Sequence, residues 1–197
     1  NGLAVSFHKS GGDREKYYEI NKEAARFFYR AFTEQKNAGY TYMKNRGMED
    51  AILKKFGIGY ADDSWDSLYA YFKKKDVPEK ILLELGLISE SKGKYYDKFR
   101  NRVMFPIMDS RGKVIGFGGR VMGDGKPKYL NSPETRVFDK SRNLYGLHLA
   151  RTSRKPNIIL CEGYMDVIAM HQAGFNQAVA SLGTAFTQQQ STILKRY

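Results

Sequence analysis

Residues 157–183 read NIILCEGYMDVIAMHQAGFNQAVASLG, and this stretch sets the fold class of the C-terminal part. The apolar runs at 157–161 and 178–181 have the length of buried strands, and 164–172 has the pattern of a helix. A strand, a helix and a strand with such short links are typical of a right-handed parallel unit. Thr187 and Gln190 predict a capping box for one more helix. We therefore expect a parallel βαβα unit whose third strand would follow Tyr197, because parallel sheets need cover on both faces.

The residues before this unit predict helices first and a small antiparallel sheet afterwards. Apolar spacing and terminal glycines favour helices at 14–33, 41–46, 49–56 and 65–74, and a further one from Pro78 to Gly86. Residues 102–122 are expected to form a hairpin that turns at 109–112, with Pro106 near a sheet edge or bulge, and 129–131 to be extended. The predicted fold class is α+β. It comprises a mobile lead-in at 1–12, a subdomain of helices and basic antiparallel sheet at 13–155, and the start of a truncated α/β subdomain at 156–197.

The positive charge of the chain is concentrated in one segment. The formal net charge is +12, and residues 92–155 carry 16 lysines and arginines against 5 aspartates and glutamates. Because clustered charge of one sign repels itself, this pattern favours a nucleic-acid or nucleotide partner over a merely basic, solvated surface. Aromatic residues are interleaved with the basic ones, which suits stacking on single-stranded bases: Tyr95, Tyr96, Phe99, Phe105, Phe117 and Tyr129. Of these, Phe105 and Phe117 are expected to face the core.

The cysteine content and the hydropathy limit the possible classes of protein. A single cysteine, Cys161, excludes an internal disulfide and favours a reducing, cytoplasmic setting. With only three scattered histidines beside it, a structural zinc site within this chain is not expected. No apolar run of the sequence approaches the length of a membrane span, so no membrane partner is expected. The start at Asn1, without a methionine, indicates an excised piece.

Glu162 is the strongest candidate for chemistry. It follows the first predicted strand of the parallel unit and precedes a glycine turn into the helix, and ligands bind at this edge of open α/β sheets. Asp166, four residues on, would place a second carboxylate near the same helix N-terminus. Two carboxylates together with substrate phosphates would suffice to bind Mg²⁺. Spacing alone leaves an equal alternative, in which both acids merely complement the helix dipole.

Several motifs in consecutive order give the chain a specific resemblance. Residues 161–168 (CEGYMDVI) and 178–184 (AVASLGT) closely resemble the Toprim module of bacterial DnaG-type primases. Four upstream blocks resemble the same family: FRNRVMFPI at 99–107, GFGGR at 116–120, KYLNSPET at 128–135, and residues 138–147. The resemblance runs from about Tyr17 to Tyr197, which is nearly the whole chain.

The resemblance implies a DNA-dependent RNA polymerase that makes short RNA primers on single-stranded DNA from ribonucleoside triphosphates, with Mg²⁺ or Mn²⁺ as cofactor. It places Glu162, with Asp166 beside it, in the acidic metal-binding centre. It assigns template and nucleotide contacts to the matching polar residues: Arg100, Arg102, Arg120, Lys128, Asn131 and Lys140.

The resemblance also implies parts that lie outside this chain. The family's downstream Asp-x-Asp pairs, which supply most of the metal ligands, would follow Tyr197, so the fragment alone is expected to be inactive. A zinc-binding domain, and the contacts to the replicative helicase and to single-stranded DNA binding protein, belong to other regions. The family works in the bacterial cytoplasm at the replication fork.

Two rival hypotheses and one question of origin remain at this point. The chain could come from another Toprim enzyme, such as a nuclease or a topoisomerase subunit, because these share the glutamate at the strand end. It could instead be a non-enzymatic nucleic-acid binding module whose acidic residues are structural. A phage or plasmid homologue of the cellular enzyme is also compatible with the sequence.

Overall fold

The computed structural model describes residues 12–34, 36–183 and 185–197. The predicted lead-in lies outside the described residues except for Gly12, which is the first residue of a helix. The five predicted N-terminal helices are confirmed, with ends that shift by up to about three residues. They are α1 (Gly12–Glu34), α2 (Ala38–Asn45), α3 (Asp50–Lys55), α4 (Ser67–Lys73) and α5 (Glu79–Glu84).

A four-stranded antiparallel sheet forms the centre of the N-terminal part. Its strands, in spatial order, are β1 (Gly59–Ala61), β4 (Arg102–Met108), β5 (Val114–Val121) and β6 (Tyr129–Asn131). The predicted hairpin is therefore confirmed, and its turn is held by the Asp109 carboxylate, which accepts the N–H groups of Arg111 and Lys113. Pro106 lies beyond the residues of β4 that pair with β1 and directly before a bulge, as expected for a residue without an N–H donor.

Two short pieces of sheet were not anticipated. β1 is only three residues long and packs closely against α1. A Cβ on Gly59 would lie only 2.6 Å from the Cβ of Phe28 on this helix. β2 (Ile88–Ser91) and β3 (Lys94–Asp97) form a separate hairpin with its turn at Lys92 and Gly93. Strands this short carry too little periodicity to be predicted from the sequence, and tertiary packing decides where they form.

The C-terminal part contains the predicted parallel unit. β7 (Ile159–Cys161) and β8 (Ala178–Ala180) pair in parallel, and α7 (Tyr164–Gln172) connects them. α8 (Gln188–Leu194) begins with the predicted capping box of Thr187 and Gln190. A short α6 (Leu147–Ala150) and a 3-10 turn at Lys140–Arg142 precede the unit. Beside β8, Tyr145 exchanges two backbone hydrogen bonds with Ala180 and extends this sheet by one antiparallel bridge.

The two parts of the chain share a hydrophobic core. Phe105 and Phe117 of the antiparallel sheet belong to the same buried cluster as Val167 and Ile168 of α7. A smaller cluster joins α6 to β8 through Leu147 and Val179. Consequently α7 and the loop before it are held directly against the antiparallel sheet. Among the described residues, no helix combines the length and the apolarity needed to cross a membrane.

Candidate active site

A cleft of about 430 Å³ lies where the beginning of α7 meets the edge strand β6. Its walls combine residues from three regions that are distant in sequence. The C-terminal part contributes Glu162, Gly163, Tyr164, Met165, Asp166, Ser181 and Gly183. Strand β6 and the residue before it contribute Lys128, Tyr129 and Asn131, and α2 with its C-cap residue contributes Tyr42 and Arg46. The cleft therefore brings together two candidate acids and two of the candidate template or nucleotide contacts.

The two acids reach the cleft because β7 ends one residue before Glu162. Gly163 then continues in extended backbone, with φ −155°, before α7 starts. Glu162 and Asp166 are both exposed, and neither carboxylate forms a hydrogen bond or an ion pair with a described residue. Since no internal cation neutralises them, both acids remain available to a ligand in the cleft.

The acids fit part of a divalent-metal site. Carboxylate oxygens are the ligands that Mg²⁺ prefers, and Mg²⁺ commonly uses one or two protein carboxylates together with waters and substrate phosphates. Among the described residues, no group of three or more histidine, cysteine, aspartate or glutamate side chains is close enough to hold a metal ion. Glu162 and Asp166 therefore suit a shared site that also takes oxygens from elsewhere.

Four of the predicted basic residues lie at different places on the surface. Lys128 is exposed in the cleft itself, and the Arg120 guanidinium stacks on Tyr42, one of the cleft residues, at 4.6 Å from the ring centroid. Arg100 lies elsewhere, 4.1 Å above the ring centroid of Trp65. Lys140 belongs to the 3-10 turn and does not line the cleft. The structure thus unites Lys128 with the acids, places Arg120 beside it, and separates the other two.

The spacing of two between Arg100 and Arg102 predicts that both side chains lie on one face of a strand, and this prediction is wrong. Arg100 precedes β4, and Asn101 has a left-handed φ of 51°, which breaks the alternation of side chains. Arg102 is only 5% exposed and donates to the backbone carbonyls of Gly119 and Lys128, at 3.1 and 3.4 Å. Burial lowers the pKa of this guanidinium. Arg102 therefore supports the cleft strand from behind instead of lining the cleft.

The aromatic residues also divide between core and surface. Phe105 and Phe117 are buried, as expected. Phe99 is buried as well, so its ring is not available for stacking on single-stranded bases. Tyr95 and Tyr96 lie on the separate β2–β3 hairpin. Tyr129 remains 39% exposed in the cleft, where it offers a ring to a ligand.

Sequence reasoning missed Tyr42, on α2, and Arg46, the residue that caps the C-terminal end of this helix. Arg46 stacks on Tyr42 at 5.1 Å, and Arg120 approaches the same ring, so Tyr42 contacts two guanidinium groups. Local sequence offered no signal for this arrangement. A basic residue before a glycine is common at the end of a helix.

Tyr164 joins the acid-bearing turn to the sheet. Its ring stacks on Phe105, with centroids 4.9 Å apart and planes 6° apart, and meets Tyr145 edge-on at 4.7 Å. Its hydroxyl donates to Oδ1 of Asn131 at 2.6 Å. Burial is the main cause that raises the pKa of this phenol far above its ordinary range, so the hydroxyl stays protonated. The ring lies over Gly118, where a Cβ would come within 2.5 Å of the phenol oxygen.

Comparison with known proteins gives consistent matches. A family model described as "DNA primase catalytic core, N-terminal domain" matches residues 27–151, and a Toprim domain model matches residues 157–197. The DNA primase of Clostridium acetobutylicum is 50% identical over 189 residues, and that of Deinococcus radiodurans is 48% identical over 183 residues. These alignments cover 94% and 91% of this chain but 32% of each relative, so the chain spans about a third of their length.

Solved structures agree with the sequence comparison. A DnaG primase catalytic domain bound to single-stranded DNA superimposes with a TM-score of 0.88 at 41% identity, covering 95% of this chain and 62% of that one. The zinc-binding and RNA polymerase domains of Aquifex aeolicus primase superimpose with a TM-score of 0.87 at 38% identity, covering 98% of this chain and 48% of that one.

Proposed function

This chain belongs to the DnaG-type DNA primase family, and from that premise we propose that it forms part of the active site of a DNA-dependent RNA polymerase. The reaction is the synthesis of short RNA primers on a single-stranded DNA template from ribonucleoside triphosphates. Support for the template comes from the related catalytic domain that was solved with single-stranded DNA.

One observation carries the proposal: two unpaired carboxylates and two cationic side chains line the same cleft. Nucleotidyl transfer requires little covalent chemistry from the protein. It requires alignment of a 3′-hydroxyl with an α-phosphate and neutralisation of the charge that develops there. Glu162 and Asp166 provide oxygen ligands, and Lys128 and Arg46 provide positive charge for phosphates.

The charged residues of the cleft and Tyr129 each have a role in this proposal. Glu162 and Asp166 would hold Mg²⁺ together with ligands from outside this chain, and the ion would supply charge neutralisation at the reacting phosphate. Lys128 and Arg46 bind and orient the triphosphate, since both are exposed and line the cleft. Tyr129 offers its exposed ring for stacking on a base.

The remaining predicted contacts are assigned by their surroundings. Three basic residues outside the cleft would contact phosphates of the template strand: Arg100, Arg120 and Lys140. Arg100 stacks on Trp65, Arg120 stacks on Tyr42, and Lys140 lies in the 3-10 turn. Arg102 acts indirectly, because it supports the backbone of Lys128. We further infer a cytoplasmic enzyme that meets the replicative helicase, single-stranded DNA binding protein and its own zinc-binding domain through other regions.

The test is Glu162→Gln in a full-length primase that carries this segment. The substitution keeps the size of the side chain and removes its charge, so primer synthesis should be lost while single-stranded DNA binding stays near normal. Glu90→Gln is the matched control, because Glu90 is an exposed acid on β2 outside the cleft. Near-normal synthesis by the Glu162 variant would exclude this acid from the metal centre.

The same preparation separates the rival enzyme class. A nuclease or a topoisomerase subunit would nick or relax supercoiled DNA without incorporating ribonucleotides. The match over residues 27–151, to a model of the primase catalytic core, favours the polymerase over both. Relaxation without primer synthesis would refute the proposal.

A further inference from the structure

We infer that Tyr164 is a positioning residue that orients the side-chain amide of Asn131, so that its NH₂ group serves as a hydrogen-bond donor to an oxygen of the bound nucleotide. This inference rests on the proposed function and specifies that one wall of the cleft presents hydrogen-bond donors. Their acceptors would be the ribose or phosphate oxygens of a nucleoside triphosphate.

The first step of the argument is the fixed position of the phenol. The Tyr164 ring is held between Phe105, which stacks on it, and Tyr145, which meets it edge-on. Only the missing side chain of Gly118 leaves room for the ring beneath. Asn131 is the cross-strand partner of Gly118, so the hydroxyl reaches the amide directly across the β5–β6 pair. A ring confined on three sides can present its hydroxyl at one place only.

The second step is the direction of the hydrogen bond. The Tyr164 hydroxyl donates to Oδ1 of Asn131 at 2.6 Å. The carbonyl of the amide is thereby engaged, and Nδ2 has no partner among the described residues. An amide nitrogen carries two donors and no acceptor. Asn131 thus offers the cleft two N–H donors, which suit the acceptor oxygens of a nucleotide.

The third step is the location of these donors. Nδ2 lies beside Gly183, where a Cβ would come within 2.7 Å of it, and Gly183 also has a left-handed φ of 71°. Asn131, Gly183 and Glu162 all line the cleft. The amide donors therefore occupy the same cleft as the two acids, and glycine at 183 keeps the space beside them open.

The experiment measures primer synthesis by full-length primase as a function of ribonucleotide concentration. Tyr164→Phe removes only the hydroxyl and keeps the stacked ring, so KM for the nucleotide should rise about fivefold, the value of one neutral hydrogen bond, with kcat within about twofold. Tyr145→Phe is the matched control, because the Tyr145 hydroxyl is buried in the same cluster without a partner in the described residues. Its KM should match that of the unsubstituted enzyme.

A second variant keeps the inference falsifiable if Tyr164→Phe folds poorly. Asn131→Ala removes both N–H donors without adding a charge, so its KM should rise at least as much. Adding Tyr164→Phe to Asn131→Ala should cause no further loss, because the phenol acts only through the amide.

Three outcomes would overturn the inference. An unchanged KM in Tyr164→Phe, or a fall in kcat and in melting temperature at constant KM, would leave Tyr164 with a purely structural role. Equal effects of the Tyr145 and Tyr164 substitutions would do the same. These results leave the proposed polymerase intact, whereas lack of primer synthesis by the unsubstituted enzyme would refute the proposed function first.

Discussion

Replacing Gly118 by alanine should destabilise the fold through a single contact. The added Cβ would lie 2.5 Å from the hydroxyl oxygen and the Cζ atom of Tyr164, a distance that van der Waals repulsion forbids. Tyr164 cannot withdraw, because it is only 7% exposed and is held by Phe105 and Tyr145. Overpacking of this kind costs about 1 to 3 kcal/mol.

The hydrogen bond to Asn131 is lost if the ring tilts away, which adds about 1 kcal/mol. The expected loss in the free energy of unfolding is therefore about 2 to 4 kcal/mol. Urea unfolding followed by far-UV circular dichroism measures it directly. Gly12→Ala is the matched control, since nothing lies within 4 Å of a Cβ at this helix start, and its effect should stay below about 0.5 kcal/mol.

A double-mutant cycle tests the stated cause. In a Tyr164→Ala background the space above residue 118 is open, so Gly118→Ala should cost less than about 1 kcal/mol. A cost below about 0.5 kcal/mol in the unsubstituted background, or the same cost in both backgrounds, would refute the reasoning.

Two further predictions concern pH and salt. Burial raises the pKa of Asp97 from 3.8 to about 6 against the hydrogen bonds it accepts from the N–H groups of Leu68 and Tyr69. The folded state thus binds this proton more tightly than the unfolded state, and the resulting stabilisation, present below about pH 4, is lost as the pH rises through about 6. Between pH 4 and 7, ionisation of Asp97 should lower the free energy of unfolding by up to about 3 kcal/mol, and Asp97→Asn should remove this pH dependence. Urea unfolding at several pH values measures it. If the free energies of unfolding of the two proteins changed with pH by the same amount, the prediction would be contradicted. Lys128→Ala should weaken binding of a single-stranded oligonucleotide and reduce the slope of log affinity against log salt by about 0.7, measured by fluorescence anisotropy. Lys80→Ala, at an exposed position on α5, is its control, and an affinity unchanged at every ionic strength would exclude a phosphate contact for Lys128.

Sequence reasoning recovered the elements whose signals are local. The parallel unit, the Thr187–Gln190 capping box and the β4–β5 hairpin depend on residues within a few positions of one another. Glu162 and Lys128 could be assigned to one cleft only through the family resemblance, because 34 positions separate them in the chain. β1 escaped prediction because its pairing depends on the long helix packed against it.

Periodicity was thus enough to predict the α+β architecture and the acid at the end of β7, and the clustered charge favoured an anionic partner. Arg102 is buried whereas Arg100 is only half-buried, and this difference depends on the left-handed residue between them, Asn101, which an alternating pattern does not predict. The contact of Tyr164 with Asn131 likewise required the folded molecule, because a glycine on β5 makes room for a ring carried by α7. Local sequence patterns predict whether a side chain faces the core or the solvent. Which residue it contacts is decided by long-range packing.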